Sequence, residues 1–239
     1  MRLPKSWEEF LAENFDIKEF YTQLDNLLMK PPAVTPRKEL IFNVFNFMEP
    51  EGVNCVLYGE DPYPRITSAN GVAFWDMEIK SWQDKTNGSS LKNIIKALLT
   101  AEGLADYKTP IAECRETACR ENIRTPAKLF KLWLEQGVLL INTSLTFASS
   151  AEKTRHFKFW QPFQNALIKS LNSRRESPYY ILWGRKAQAW EEEINKSIDS
   201  PQKIIKQGHP AFIHHFMDQN NPSFSPFIEI IQKTGLTWL

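Results

Sequence analysis

Cysteine is scarce in this chain: Cys55, Cys114 and Cys119 are the only three in 239 residues. Three thiols cannot complete a disulfide framework, and they fall short of a four-thiolate zinc or iron–sulfur site. Cys114 and Cys119 leave room for a mixed site with a histidine. Three reduced thiols is the simpler reading, and no metal or other cofactor is expected. Long apolar runs are missing as well. No stretch approaches the roughly 20 residues of a membrane-spanning helix, so no membrane partner is expected. The opening MRLPKSWEEFLAENF puts acids where a signal peptide needs its apolar core, which predicts a cytoplasmic protein. No segment repeats and none is of low complexity. A strong net charge is also lacking. The formal charge is +1, which does not advertise a nucleic-acid partner.

The charge is nevertheless uneven. Residues 1–62 carry six Lys/Arg against eleven Asp/Glu, whereas residues 150–215 carry eleven against six. A basic C-terminal half can attract phosphate without an extreme isoelectric point, although taken alone such asymmetry is more often an uneven solvated surface. With 42% hydrophobic and 24% charged residues the composition is ordinary for a globular protein with a sizeable core.

Four short apolar runs have the length of strands covered on both faces: Val53–Tyr58, Val138–Asn142, Tyr179–Trp183 and Lys203–Gln207. Helical patterns lie between them, at Leu91–Leu99, Pro126–Glu135, Phe163–Leu171 and Ala187–Asn195. The Lys30-Pro31-Pro32 punctuation reads as a separator of two helices. This alternation predicts an α/β fold over 1–239: one three-layer α/β/α domain with a central four-stranded, mainly parallel sheet, its first 38 residues forming an N-terminal helical segment.

Each predicted strand runs into polar or turn-forming residues. The first is followed by Gly59-Glu60-Asp61-Pro62-Tyr63, the second ends in Asn142-Thr143-Ser144, the third meets Gly184-Arg185, and the fourth meets Gly208-His209-Pro210. Ligands of open α/β sheets bind beyond the carboxyl ends of the strands, so Asp61, Tyr63, Asn142 and His209 should converge on one crevice. Taken singly, each has a plainer role. Asp61, held before a proline, would cap its own turn; Asn142 would bridge buried backbone; His209 would be a structural histidine. Their convergence is what makes them candidates.

Four segments, in order and at matching spacing, resemble family 1 of the uracil-DNA glycosylases. GEDPYPRITSANGVAF (59–74) is similar to the family's G-Q-D-P-Y-H followed at fixed distance by G-x-x-F. QGVLLINTSLT (136–146) is similar to its asparagine strand, ILWGRKAQ (181–188) to its L-L-W-G-x-x-A-Q, and HPAFIH (209–214) to its H-P-S-P-L-S. The tail IIQKTGLTWL also resembles the family's, and the likeness runs from about Leu40 to the C-terminus.

The resemblance implies a monofunctional DNA glycosylase, working as a monomer on single- or double-stranded DNA. It implies that Asp61 positions the attacking water and stabilises a cationic sugar, and that His209 donates to the departing base. Asn142 would read the base edge, Phe74 would stack on the base, and Tyr63 would block the C5 position, with Glu60 beside them. Ser90, Gly184, Arg185 and Pro210 would engage phosphates around the target. Ile213 stands where the family has a leucine that enters the duplex.

Departures cluster around the same pocket. Pro64 replaces a histidine that helps hold the water and a phosphate. Glu60 replaces a glutamine, exchanging a donor amide for an acceptor. Ala211 and Phe212 replace a serine and a proline, and Arg185 replaces a residue that is often serine. These changes admit two other readings: excision of a modified pyrimidine, for instance in phage or other foreign DNA as a defence activity, and a non-catalytic DNA- or protein-binding module.

Overall fold

The computed structural model describes residues 2–29, 32–84 and 88–239. Lys30 and Pro31 of the predicted helix separator lie outside them. Helices α1 (Lys5–Leu11) and α2 (Ile17–Leu28) come first, α2 opening where the Asp16 side chain accepts a hydrogen bond from the Glu19 N–H at 3.0 Å. Strand β1 (Cys55–Gly59) is followed by α3 (Ser89–Ala101), α4 (Ile111–Arg120) and α5 (Pro126–Glu135). Then come β2 (Val138–Asn142), α6 (Lys153–Asn172), β3 (Tyr179–Trp183), α7 (Arg185–Gln188), α8 (Glu191–Asn195), β4 (Ile204–Gln207), α9 (Ile213–Phe216) and α10 (Pro226–Thr234).

The four strands form one wholly parallel sheet in the order β2-β1-β3-β4. Sequences such as CVLYG and VLLIN are buried at every position, because helices cover both faces of the sheet. The edge strand β4, IIKQ, buries only Ile205 fully. From β1 the chain crosses to β2 on one side, and from β3 it crosses to β4 on the other. The crossovers therefore diverge, and a crevice opens beyond the carboxyl ends of β1 and β3. Register aligns these ends: Gly59 pairs with Asn142, and Trp183 with Gln207.

Aromatic side chains fill the layers. On one side Phe20 of α2 stacks on Phe159 and Phe163 of α6, with ring centroids 5.2 and 5.6 Å apart. Elsewhere Trp133 meets Trp238 of the tail at 4.9 Å and donates to its carbonyl oxygen. Each such ring pair contributes about 0.5–1.5 kcal/mol beyond its buried area. Among the described residues no helix is long and apolar enough to cross a membrane.

Two predicted helices differ from the structure. Phe163–Leu171 is only the second half of α6, which runs from Lys153 straight through Pro162. The proline hides the first half, although burial of His156 and Trp160 holds it in the same helix. Ala187–Asn195 is broken into α7 and α8 at Ala189 and Trp190. Trp190 turns inward there, stacking near Tyr58 and donating to Thr143 Oγ1 at 3.3 Å.

Candidate active site

Backbone hydrogen bonds tie together the loops beyond β1 and β2. The Thr143 N–H donates to Gly59 O at 2.9 Å and the Ser144 N–H to Glu60 O at 3.2 Å. Behind them Gln164 donates from Nε2 to the Asn142 and Thr143 carbonyls (2.9 and 3.2 Å) and accepts from the Tyr58 hydroxyl at 3.2 Å. This buried bridge fixes the end of β2. The Asn142 amide, by contrast, makes no hydrogen bond among the described residues, and it lines a cavity of about 170 Å³. That is smaller than the roughly 300–1,000 Å³ clefts of drug-sized ligands, and it suits a single small ring.

Asp61, Glu60, Tyr63, Phe74, Ser90 and His209 line the same cavity. Phe74 adopts φ 64°, the left-handed region that non-glycine residues avoid. Packing and hydrogen bonds hold it there. The Ala73 N–H donates to Leu140 O at 3.0 Å, the Tyr63 hydroxyl donates to Phe74 O at 3.1 Å, and Trp183 meets the ring edge-on at 5.6 Å. Such a conformation costs of order 1–3 kcal/mol and turns the ring into the cavity wall. Burial also pushes the Tyr63 phenol well above its ordinary pKa, so it stays protonated.

His209 rests against Gly184. A Cβ at Gly184 would stand 2.7 Å from the His209 Cβ, and the glycine's φ of 86° disfavours any side chain. The Ala211 N–H donates to His209 Nδ1 at 3.1 Å. That nitrogen is therefore unprotonated, and the proton of the neutral ring sits on Nε2. Burial holds the imidazole pKa below its usual value; the charge of Glu60 opposes this and that of Lys153 reinforces it. The result is a neutral donor at the cavity.

Asp61 is the more enclosed acid of the site, half-buried with its side chain 17% exposed. Burial raises its carboxyl above the ordinary range, and Lys153 pulls it back. Lys153 Nζ lies 2.9 Å from Asp61 Oδ2 and 2.7 Å from Glu60 Oε1. The contact to Asp61 is an ion pair rather than a well-aligned hydrogen bond. Sequence reasoning missed Lys153. The available signal was the pair of adjacent carboxylates, which calls for a cation without saying which one.

The remaining candidates lie outside the cavity. Gly184 is buried beneath His209 and Arg185 is exposed at the start of α7. Pro210 is buried, and its carbonyl accepts from Asn93 Nδ2 at 2.6 Å. Ile213 packs half-buried against the core, whereas its neighbour Phe212 is 56% exposed. Asn87, which opens the Ser90 loop, lies outside the described residues. Among the described residues no cluster of His, Cys, Asp and Glu could hold a metal ion.

The sequence model of the Uracil DNA glycosylase superfamily matches residues 45–232. A uracil-DNA glycosylase of Pseudomonas aeruginosa PAO1 is 32% identical over 248 aligned residues, covering 100% of this chain and 95% of the relative. One from Fusobacterium nucleatum is 34% identical, covering 88% of this chain and 82% of its own. Among solved structures, the wild-type UNG of Nitratifractor salsuginis superposes with a TM-score of 0.69 at 24% identity, covering 88% of this chain and 85% of that one. At that identity the superposition speaks for the fold alone.

Proposed function

This chain belongs to the uracil DNA glycosylase superfamily, and on that premise we propose that it excises uracil from DNA, leaving an abasic site. Relatives that share the whole length of the chain are named uracil-DNA glycosylases. The observation that carries the reading is the meeting of Asp61, Asn142, Phe74 and His209 at one small cavity beyond the strand ends.

A base stacked in DNA cannot reach such a cavity, so the nucleotide must be flipped out at a cost of a few kcal/mol. Once inside, the ring lies against Phe74. Asn142 Oδ1 accepts from the uracil N3–H while Nδ2 donates to O4, a pattern that cytosine would meet with the opposite polarity. Tyr63 closes the C5 side against the methyl group of thymine. The bond between N1 and C1′ breaks with its electron pair going to the base, and water oxygen bonds to C1′. Overall one water is consumed, and its protons end on the sugar hydroxyl and the freed uracil. Asp61 stabilises the cationic sugar and orients the water. His209 Nε2–H stabilises the anionic base, the kind of contact worth about 2.7–4 kcal/mol of barrier.

Around the cavity, Ser90, the Gly184-Arg185 turn and Pro210 are proposed to hold the phosphates. Phe212, the more exposed of the two apolar loop residues, is proposed to enter the vacated stack with Ile213 supporting it. A modified pyrimidine is the less favoured substrate. It would need Glu60 as a free acceptor and Tyr63 able to move. However, Glu60 is engaged by Lys153, and Tyr63 is hydrogen-bonded to Phe74.

The test is incubation with uracil-bearing and thymine-bearing oligonucleotides, followed by alkaline cleavage. Strand scission at uracil alone is expected, with Asp61→Asn slowing it by about 10²-fold or more while retaining DNA binding. A wild-type protein that leaves uracil-DNA intact defeats the proposal.

A further inference from the structure

Lys153 opens α6, 92 positions beyond Asp61, yet its ammonium bridges two neighbouring carboxylates in the loop after β1. The arrangement is built. Phe157, one turn further along α6, lies under two ammonium groups, Lys153 at 5.7 Å and Lys186 of α7 at 5.3 Å from the ring centroid. Arg155, the next cation along the helix, is taken up by Glu152 at 2.7 Å. Lys153 alone among the described residues makes an ion pair with either Glu60 or Asp61.

Two adjacent carboxylates, one of them largely buried, disfavour each other's ionisation, and a cation within contact distance of both opposes this. We infer that Lys153 is a positioning residue for base excision: it holds Asp61 ionised and directed into the cavity, while Glu60 anchors the ammonium from the outer side. The inference rests on the glycosylase reading of the site, since it takes Asp61 as the acting carboxylate.

The charged and titratable groups facing Asp61 are Glu60 in its own loop, Lys153 of α6, Lys186 of α7, and Tyr63 and His209 across the cavity. Of these, Lys153 opposes the burial of the Asp61 carboxyl most strongly and Lys186 only weakly. The ammonium itself keeps its proton. Burial works against it, but the carboxylates of Glu60 and Asp61 in contact with it outweigh that and raise its pKa above the ordinary value. Lys153 therefore remains charged across the range in which Asp61 titrates.

Two measurements test this on the full chain. One is the single-turnover rate of uracil excision as a function of pH. The other is titration of ¹³C-labelled aspartate carboxyls, with the Asp61 signal assigned by its loss in Asp61→Asn. Lys153→Met keeps the stem over Phe157 and removes the charge; Lys153→Gln is a second variant should the first fold poorly. Either should move the acid limb of the rate and the Asp61 titration upward by about one pH unit or more, with much of the rate recovered above the new midpoint. Lys153→Arg should restore the wild-type limb. Profiles of Lys153→Met or Lys153→Gln that coincide with wild type overturn the inference, as does a rate loss equal at every pH and shared by Lys153→Arg. If the wild-type protein excises nothing, the glycosylase reading falls on its own, and the carboxyl titration still decides whether Lys153 controls Asp61.

Discussion

Gly59 and Asn142 face each other across paired strands, and a side chain on the glycine would collide with Asn142 Oδ1. The same Cβ would stand 2.9 Å from the Cβ of Ala73, so it has nowhere else to go. Gly59 is thus what lets the asparagine lie against the strand end with its amide open to the cavity. Gly59→Ala should lower uracil excision by about 10²-fold, the typical cost of displacing a reacting contact by about 1 Å. The overpacking should also cost about 1–3 kcal/mol of stability. Excision rates beside denaturant melts check both, and unaltered excision would mean that Asn142 moves freely.

Phe212 and Ile213 are neighbours with opposite surroundings. Phe212→Ala should leave the melting curve nearly unchanged and weaken capture of the flipped nucleotide, read by the fluorescence of 2-aminopurine placed beside the target base. Ile213→Ala, which removes a side chain packed against the core, should cost about 2 kcal/mol of stability and affect flipping less. The opposite pattern would return the wedge to Ile213.

A buried histidine predicts acid sensitivity. Trp160 Nε1 donates to Thr146 Oγ1 at 2.7 Å, and that hydroxyl shares a hydrogen bond with His156 Nδ1, also at 2.7 Å. Burial is the main reason the His156 pKa lies below its ordinary value; Arg155 adds to the shift and Glu152 opposes it. The unfolded chain therefore binds this proton at higher pH than the folded one does. Stability should fall as pH drops from the ordinary histidine value of about 6.5 toward the depressed folded one. His209 is depressed in the same direction, chiefly by burial, and adds to the effect. His156→Gln should flatten the dependence, measured as denaturant midpoints at neutral and mildly acidic pH. Parallel curves for the two proteins would assign the acid sensitivity to other groups.

The strands were legible in the chain because runs such as VLLIN and YYILW are unbroken, short and bounded by polar or turn residues. Covered on both faces, such a run can hardly be anything else. The edges were less so. β1 starts at Cys55 rather than Val53, because Asn54 is occupied by the Gly137 carbonyl before the ladder begins. The first half of α6 escaped notice because Pro162 interrupts a pattern that only packing against α2 and the sheet restores.

What the chain determined by itself is therefore the sheet and the identity of the residues at its carboxyl ends. Asp61, Asn142 and His209 each terminate or follow an apolar run, and parallel strands deliver their ends to one side. What only the tertiary structure decided depends on contacts between distant segments. Lys153 reaches Asp61 because the start of α6 packs over the β1 loop. Nδ1 of His209 is the acceptor because the loop folds the Ala211 N–H back onto it. Phe212 is exposed while Ile213 is half-buried against the core, because a one-residue difference in facing is set by where α9 docks. Hydrophobic runs and turn residues act over a few positions, so they can be read locally. Ion pairs, tautomers and facing depend on three-dimensional neighbours, which local pattern does not specify.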